Sequence, residues 1–181
     1  MTFRLTSEFP PDWDQIQHAW DACMDHFRQA GVDADASYAL CTVVLELLEN
    51  AVKYGTFENA GEQIMLEVCV RPDSITTIEV RTPLSADTTH LRRLDRMLQW
   101  IRGFQDPFEA YVERLKQVAA TPIGDIETGL GLVRIAYEGQ CILDFIVDQR
   151  NVLAMSAVYQ PRAAMPFPPM HYGTEGALHA K

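Results

Sequence analysis

One amphipathic stretch constrains this chain more than any other: Leu40 to Gly55, reading LCTVVLELLENAVKYG. Cys41, Val44, Leu45, Leu48 and Val52 recur with the i, i+3, i+4, i+7 rhythm of a helix that has one apolar stripe. Such a stripe must be laid on another element, so the rest of the chain has to supply a second layer. Glu46, Asn50 and Lys53 fall on a neighbouring face of the same helix. Glu46 and Asn50 are four residues apart, so they stack one turn above the other and can aim at one spot. A carboxylate placed this way can accept a proton from a nucleophile. The carboxamide oxygen is a hard ligand suited to Mg²⁺, which takes few protein ligands and keeps waters and substrate phosphates for the rest. A merely solvated helix face would show the same residue types, so spacing alone does not choose between the two readings.

The second layer is legible on either side of this helix. Phe3 to Ser7 alternates as a short strand, and Asp12 caps a helix over Trp13 to Ala30 in which Ile16, Trp20, Cys23 and Phe27 recur at helical spacing. Gly31 ends that helix, and His18 and His26 on it read as surface or boundary residues. Asp33 or Asp35 caps the central helix and Gly55 stops it. Gln63 to Val70 and Ile75 to Thr82 form a hairpin turned by Arg71-Pro72-Asp73-Ser74. Two helices follow, one from Asp87 or Thr88 to Arg102 and one from the Asp106-Pro107 start to Ala120. On the second of them Tyr111, Val112, Leu115 and Val118 share a side. A loop from Thr121 to Thr128 leads into a helix over Gly129 to Glu138, and Cys141 to Val147 with Val152 to Tyr159 makes a second hairpin. Strands that arrive as hairpins build a mixed, mostly antiparallel sheet, and amphipathic helices must cover one face of it. The expected fold is a two-layer α/β sandwich. Residues 1–160 form the domain, with a helical insert at about 87–120, and the Pro-rich residues 161–181 are expected to be a loosely ordered tail.

Composition narrows the function classes. The chain has 181 residues, 48% of them hydrophobic and 22% charged, which is the make-up of an ordinary globular domain. A formal charge of −10 argues against non-specific grip on nucleic acid or anionic lipid. No apolar run approaches the ~20 residues that span a bilayer. The amino-terminal MTFRLTSEFPPDWD does not read as a signal peptide, so a cytoplasmic location is expected. Cys23, Cys41, Cys69 and Cys141 are widely spaced, offer no zinc pattern, and read as reduced and mostly buried thiols.

A second motif lies at Ile126 to Ala136, IETGLGLVRIA. Glycines at 129 and 131 open a helix after a loop, which leaves backbone N–H groups free at the positive end of the helix dipole, where a phosphate is favoured. Glycines for a tight loop or close helix–sheet packing would look the same in isolation. Taken together, ELLENAVKYG resembles the N-box of the GHKL nucleotide-binding superfamily, and TGLGL resembles its glycine-rich phosphate box. The element order from about residue 3 to 160 is similar to the anti-sigma factor serine/threonine kinase branch, which has a Bergerat-type ATP-binding fold.

That resemblance implies a set of roles. Glu46 would be the catalytic base, Asn50 would hold Mg²⁺, and Lys53 would contact phosphate. Thr128, Gly129, Leu130 and Gly131 would cradle the triphosphate of ATP. The family's adenine-reading box, DxGxG, is not matched: the strand runs IEVRTPLSAD, with Thr82 near the aspartate slot and Pro83 and Leu84 after it. Thr82 can make one hydrogen bond but carries no charge. The implied function is phosphate transfer from Mg-ATP to a protein partner, a regulatory substrate or sigma-factor-like protein, with a homodimer left open. The rival is a nucleotide-free module of the same fold that regulates by protein contact alone. Arg92, Arg93, Arg96 and Arg102 cluster on the first insert helix, and read either as a solvated face or as positive charge for a triphosphate or an acidic partner.

Overall fold

The computed structural model describes residues 1–59, 61–85, 89–120 and 128–161. Strand β1 is Phe3–Phe9, followed by helices α1, Trp13–Gln29, and α2, Ala34–Tyr54. The first hairpin is β2, Ile64–Val70, with β3, Thr76–Pro83. The insert is α3, Thr89–Arg102, and α4, Pro107–Ala120, and the chain closes with α5, Leu130–Tyr137, β4, Cys141–Val147, and β5, Val152–Tyr159. The expected start of α3 at Asp87 or Thr88, residues 121–127 of the loop before α5, and residues 162–181 of the tail lie outside the described residues.

The strands form one sheet in the order β1-β2-β3-β5-β4, and every neighbouring pair is antiparallel. Alternation along each strand sends one set of side chains to the helices. Leu66, Val80 and Met155 stand in register across three strands, as do Val68, Ile78 and Ala157 in the next row. All six are buried. The helices cover this face, so the molecule is a two-layer α/β sandwich.

Helix α2 carries the core. Leu40, Cys41, Val43, Val44, Leu47, Leu48 and Ala51 are buried, a broader face than the single stripe read from sequence, while Leu45 and Val52 are only partly covered. The difference arises because α2 lies between α1 on one side and the sheet and α5 on the others. Its start is fixed by Asp33, whose carboxylate accepts from the Ala36 N–H at 2.9 Å. Asp12 caps α1 and Asp106 caps α4 in the same manner. His26, expected at the surface or boundary, is buried at 9% exposure with Nε2 unpartnered. Cys23, Cys41 and Cys141 are buried free thiols, and burial pushes each up to about 12. The insert is seated on the domain. Leu98 of α3 is 1% exposed, and Leu94 and Ile101 pack against the main core. On α4, Ala110 is buried, whereas Leu115 is 40% exposed.

Candidate functional site

Between α2, the sheet and the insert lies a cleft of about 1300 Å³. Its floor is apolar, built from Val80 on β3 and Leu153 and Met155 on β5. One wall is the polar face of α2, with Glu46, Asn50 and Lys53 in line along it. Thr82 lines the floor, and Thr128, Gly129 and Gly131 line the end where α5 begins. Of the residues read from sequence as a site, Leu130 is the one that does not line the cleft. Its N–H instead donates to Thr128 Oγ1 at 3.4 Å.

The two motifs meet at Gly131. A Cβ built there would collide with Glu46 Oε2, and would stand 3.2 Å from Glu46 Cδ and 3.9 Å from Asn50 Nδ2. Only a residue without a side chain lets the turn approach α2 this closely. Gly129 has φ 58°, the left-handed region, and precedes α5 with no side chain capping the helix start. Among the described residues the Asn50 side chain makes no hydrogen bond, and it lines the cleft.

Glu46 is held from two sides. Arg134 Nη1 donates to Glu46 Oε1 at 2.5 Å, with the Glu46 side chain 16% and that of Arg134 39% exposed. Arg134 Nε also reaches Glu138 Oε2 at 3.3 Å. Burial pushes the Glu46 carboxyl above its ordinary range, and the Arg134 guanidinium pulls it partly back, with Glu49 and Glu138 adding a smaller upward push. Sequence inspection missed Arg134, although its place three residues after Gly131 puts both on one face of α5.

Basic side chains gather in the cleft of an acidic chain. Lys53, Arg93, Arg96 and Arg114 line it against the carboxylates Glu46 and Glu49. The arginine cluster on α3 therefore divides. Arg93 and Arg96 face the cleft, whereas Arg102 turns to the Leu143 carbonyl at 2.8 Å and to Asp144 at 3.0 Å. Arg114 carries no local sequence signal, yet its Nε donates to the Thr128 carbonyl at 2.6 Å and ties α4 to the turn. Met97 of α3 packs over Gly129.

These residues fit a metal–polyphosphate. Among the described residues no three His, Cys, Asp or Glu side chains converge to hold a metal by themselves. The donor set is one carboxamide and one carboxylate beside a turn and four cations, which suits Mg²⁺ brought in with phosphate oxygens. No helix among the described residues is long and apolar enough to cross a membrane.

No protein-family model and no curated protein matches the chain. Among solved structures, a chain in the SiaB–SiaC complex from Pseudomonas aeruginosa is similar in fold, with a TM-score of 0.66 over 86% of this chain and 88% of that one. The two are 18% identical in sequence. That likeness shows the fold.

Proposed function

We propose that this chain is a GHKL-type regulatory protein kinase that transfers phosphate from Mg-ATP to a hydroxyl on a partner protein. The observation that carries the proposal is the meeting of Glu46, Asn50 and Gly131 at one point of the cleft. The similar solved chain belongs to a complex of SiaB with SiaC, and a chain of this fold engaged with another protein supports a protein substrate here.

When bound, Mg-ATP supplies the phosphoryl group and the cation that neutralises its charge. The chain's own part is positioning. Asn50 Oδ1 would hold the metal, and the backbone N–H groups at Gly129 and Gly131 would hold phosphate oxygens at the start of α5. Glu46 would take the proton of the partner's serine or threonine hydroxyl at the carboxylate, with Arg134 fixing its orientation from behind. The raised affinity of Glu46 for a proton suits that task better than an ordinary surface carboxylate would. Lys53, Arg93, Arg96 and Arg114 offset the charge of the polyphosphate.

Calorimetric titration with Mg-ATP tests this. Binding is expected for the wild type, retained in Glu46→Gln and weakened at least tenfold in Asn50→Ala, a loss of about 1.4 kcal/mol or more. No heat at millimolar Mg-ATP with folded protein would refute it. A second reading, the nucleotide-free module, is favoured by the Arg134–Glu46 ion pair and by Thr82 in place of an acid. Under that reading Glu46→Ala leaves partner binding and signalling intact.

A further inference from the structure

We infer that Arg102 and Asp144 form a clasp that keeps the β4 edge of the sheet from pairing with the β4 edge of a second copy of this chain. Among the described residues β4 is paired on one side only, with β5. An unpaired strand edge is a template for another chain, and a sheet protein has to guard it. The opposite edge, β1, turns the exposed Arg4, Thr6 and Glu8 away from the helices. On that same face β4 carries Ile142 and Ile146, 63% and 67% exposed. Polar side chains guard β1, so β4 needs another device.

The direction of the backbone groups shows where that device acts. Just past the strand ends, the Asp148 N–H donates to the Val152 carbonyl at 3.0 Å, across to the β5 side. Bonded and unbonded pairs alternate along an antiparallel ladder. Ile142, Asp144 and Ile146 therefore direct their backbone groups at β5, and Cys141, Leu143, Phe145 and Val147 direct theirs at the free edge. Two of the central free-edge groups are already taken. Arg102 Nη2, reaching over from the end of α3, donates to the Leu143 carbonyl at 2.8 Å and to Asp144 Oδ1 at 3.0 Å. Asp144 Oδ1 also accepts from the Phe145 N–H at 2.9 Å. The Arg102 bond, and then the Phe145 N–H, hold the Asp144 carboxyl below its ordinary range, so it is ionised at neutral pH.

These are the groups that a second β4 would need. Two copies of this seven-residue strand, paired antiparallel about a two-fold axis at Asp144, set Leu143 of one opposite Phe145 of the other. The Leu143 carbonyl would then accept from the Phe145 N–H across the axis, and Ile142 would stand against Ile146. The same register sets the two Asp144 carboxylates opposite each other, and like charges directly opposite destabilise a strand pair. The clasp thus occupies the central hydrogen bonds and fixes a charge in the middle of an edge whose flanking isoleucines favour association.

Light scattering of the full chain over a concentration series tests this, with the wild type beside the double variant Arg102→Ala, Asp144→Thr. Both side chains are exposed, so the fold should survive, and urea unfolding checks that it does. The double variant is expected to self-associate at least about tenfold more strongly than the wild type. Adding Ile146→Lys sets a charge against Ile142 and is expected to return the mass to that of the wild type. Arg102→Ala alone is expected to associate less than the double variant, because the two Asp144 charges still face each other. A folded double variant with the wild-type mass at every concentration would overturn the inference. Association that survives Ile146→Lys would overturn it too, since the contact would then lie elsewhere. If the double variant does not fold, Asp144→Thr alone is read in its place, with the same outcomes deciding.

Discussion

Arg134→Ala is expected to cost the folded protein about 1–2 kcal/mol, and the cost should shrink to that of the exposed Arg134–Glu138 pair once Glu46 is uncharged. The magnitude follows from the ion pair between Arg134 Nη1 and Glu46 Oε1, 2.5 Å apart. Two unit charges about 4 Å apart attract by about 1 kcal/mol in water and about 4 kcal/mol at the effective dielectric near a protein surface. Arg134 is 39% exposed and Glu46 16%, so solvent screens the pair toward the lower figure. Glu46 sets the sign of the rest. Its carboxyl is raised in the folded state, chiefly by burial. A raised carboxyl contributes stability that is full below the ordinary value and lost as pH rises through the folded one. At neutral pH the charge on Glu46 is therefore a net cost, and Glu46→Gln should be neutral or stabilising. The assay is urea unfolding at neutral pH of the wild type, both single variants and the double variant. The cycle removes the separate Arg134–Glu138 contribution, because that pair is present or absent equally in both backgrounds. At about 2–4 °C per kcal/mol for a chain of this size, Arg134→Ala should lower the melting temperature by about 2–8 °C. If Arg134→Ala costs the same with Gln at 46 as with Glu, the pair carries no coupling and the placement of the base by α5 is wrong.

Further outcomes follow from the same geometry. Gly131→Ala drives a Cβ into Glu46 and should abolish Mg-ATP binding by calorimetry. Its stability should stay within about 1–2 kcal/mol of the wild type, because overpacking is partly offset by the better helix propensity of alanine. Leu98→Ala removes the side chain that seats α3 in the core and should cost about 2–5 kcal/mol by urea unfolding. A cost below about 1 kcal/mol would mean that the insert is not fixed to the domain. Burial holds His26 below its ordinary value of 6.5 despite a backbone hydrogen bond with Phe3. Its contribution to stability is full above that value and lost as pH falls through it, so urea midpoints should decline between about pH 7 and 5, and less so in His26→Gln.

The fold was legible because period and punctuation agreed along the chain. The strands of the second hairpin, Cys141–Val147 and Val152–Tyr159, stand where the alternation places them. Asp33 rather than Asp35 caps α2, a choice that depends on which carboxylate reaches the Ala36 N–H and not on residue type. The breadth of the buried face of α2 was not legible, because periodicity reveals a stripe but not how many elements surround a helix. His26 shows the same limit: a polar residue beside the buried Phe27 is itself buried on α1, which residue type does not reveal. In the site, Glu46, Asn50 and Gly131 were found from two local strings. Arg114 and Arg134 were not, since their roles arise from contacts to Thr128 and Glu46 that lie 14 and 88 residues away in sequence.

The most direct test is a crystal structure of the chain with Mg²⁺ and a non-hydrolysable ATP analogue. The account predicts density for a metal at the Asn50 carboxamide, with the phosphates on the amides of the Gly129–Gly131 turn. Nucleotide bound elsewhere, or phosphates distant from both Asn50 and Gly131, would contradict it.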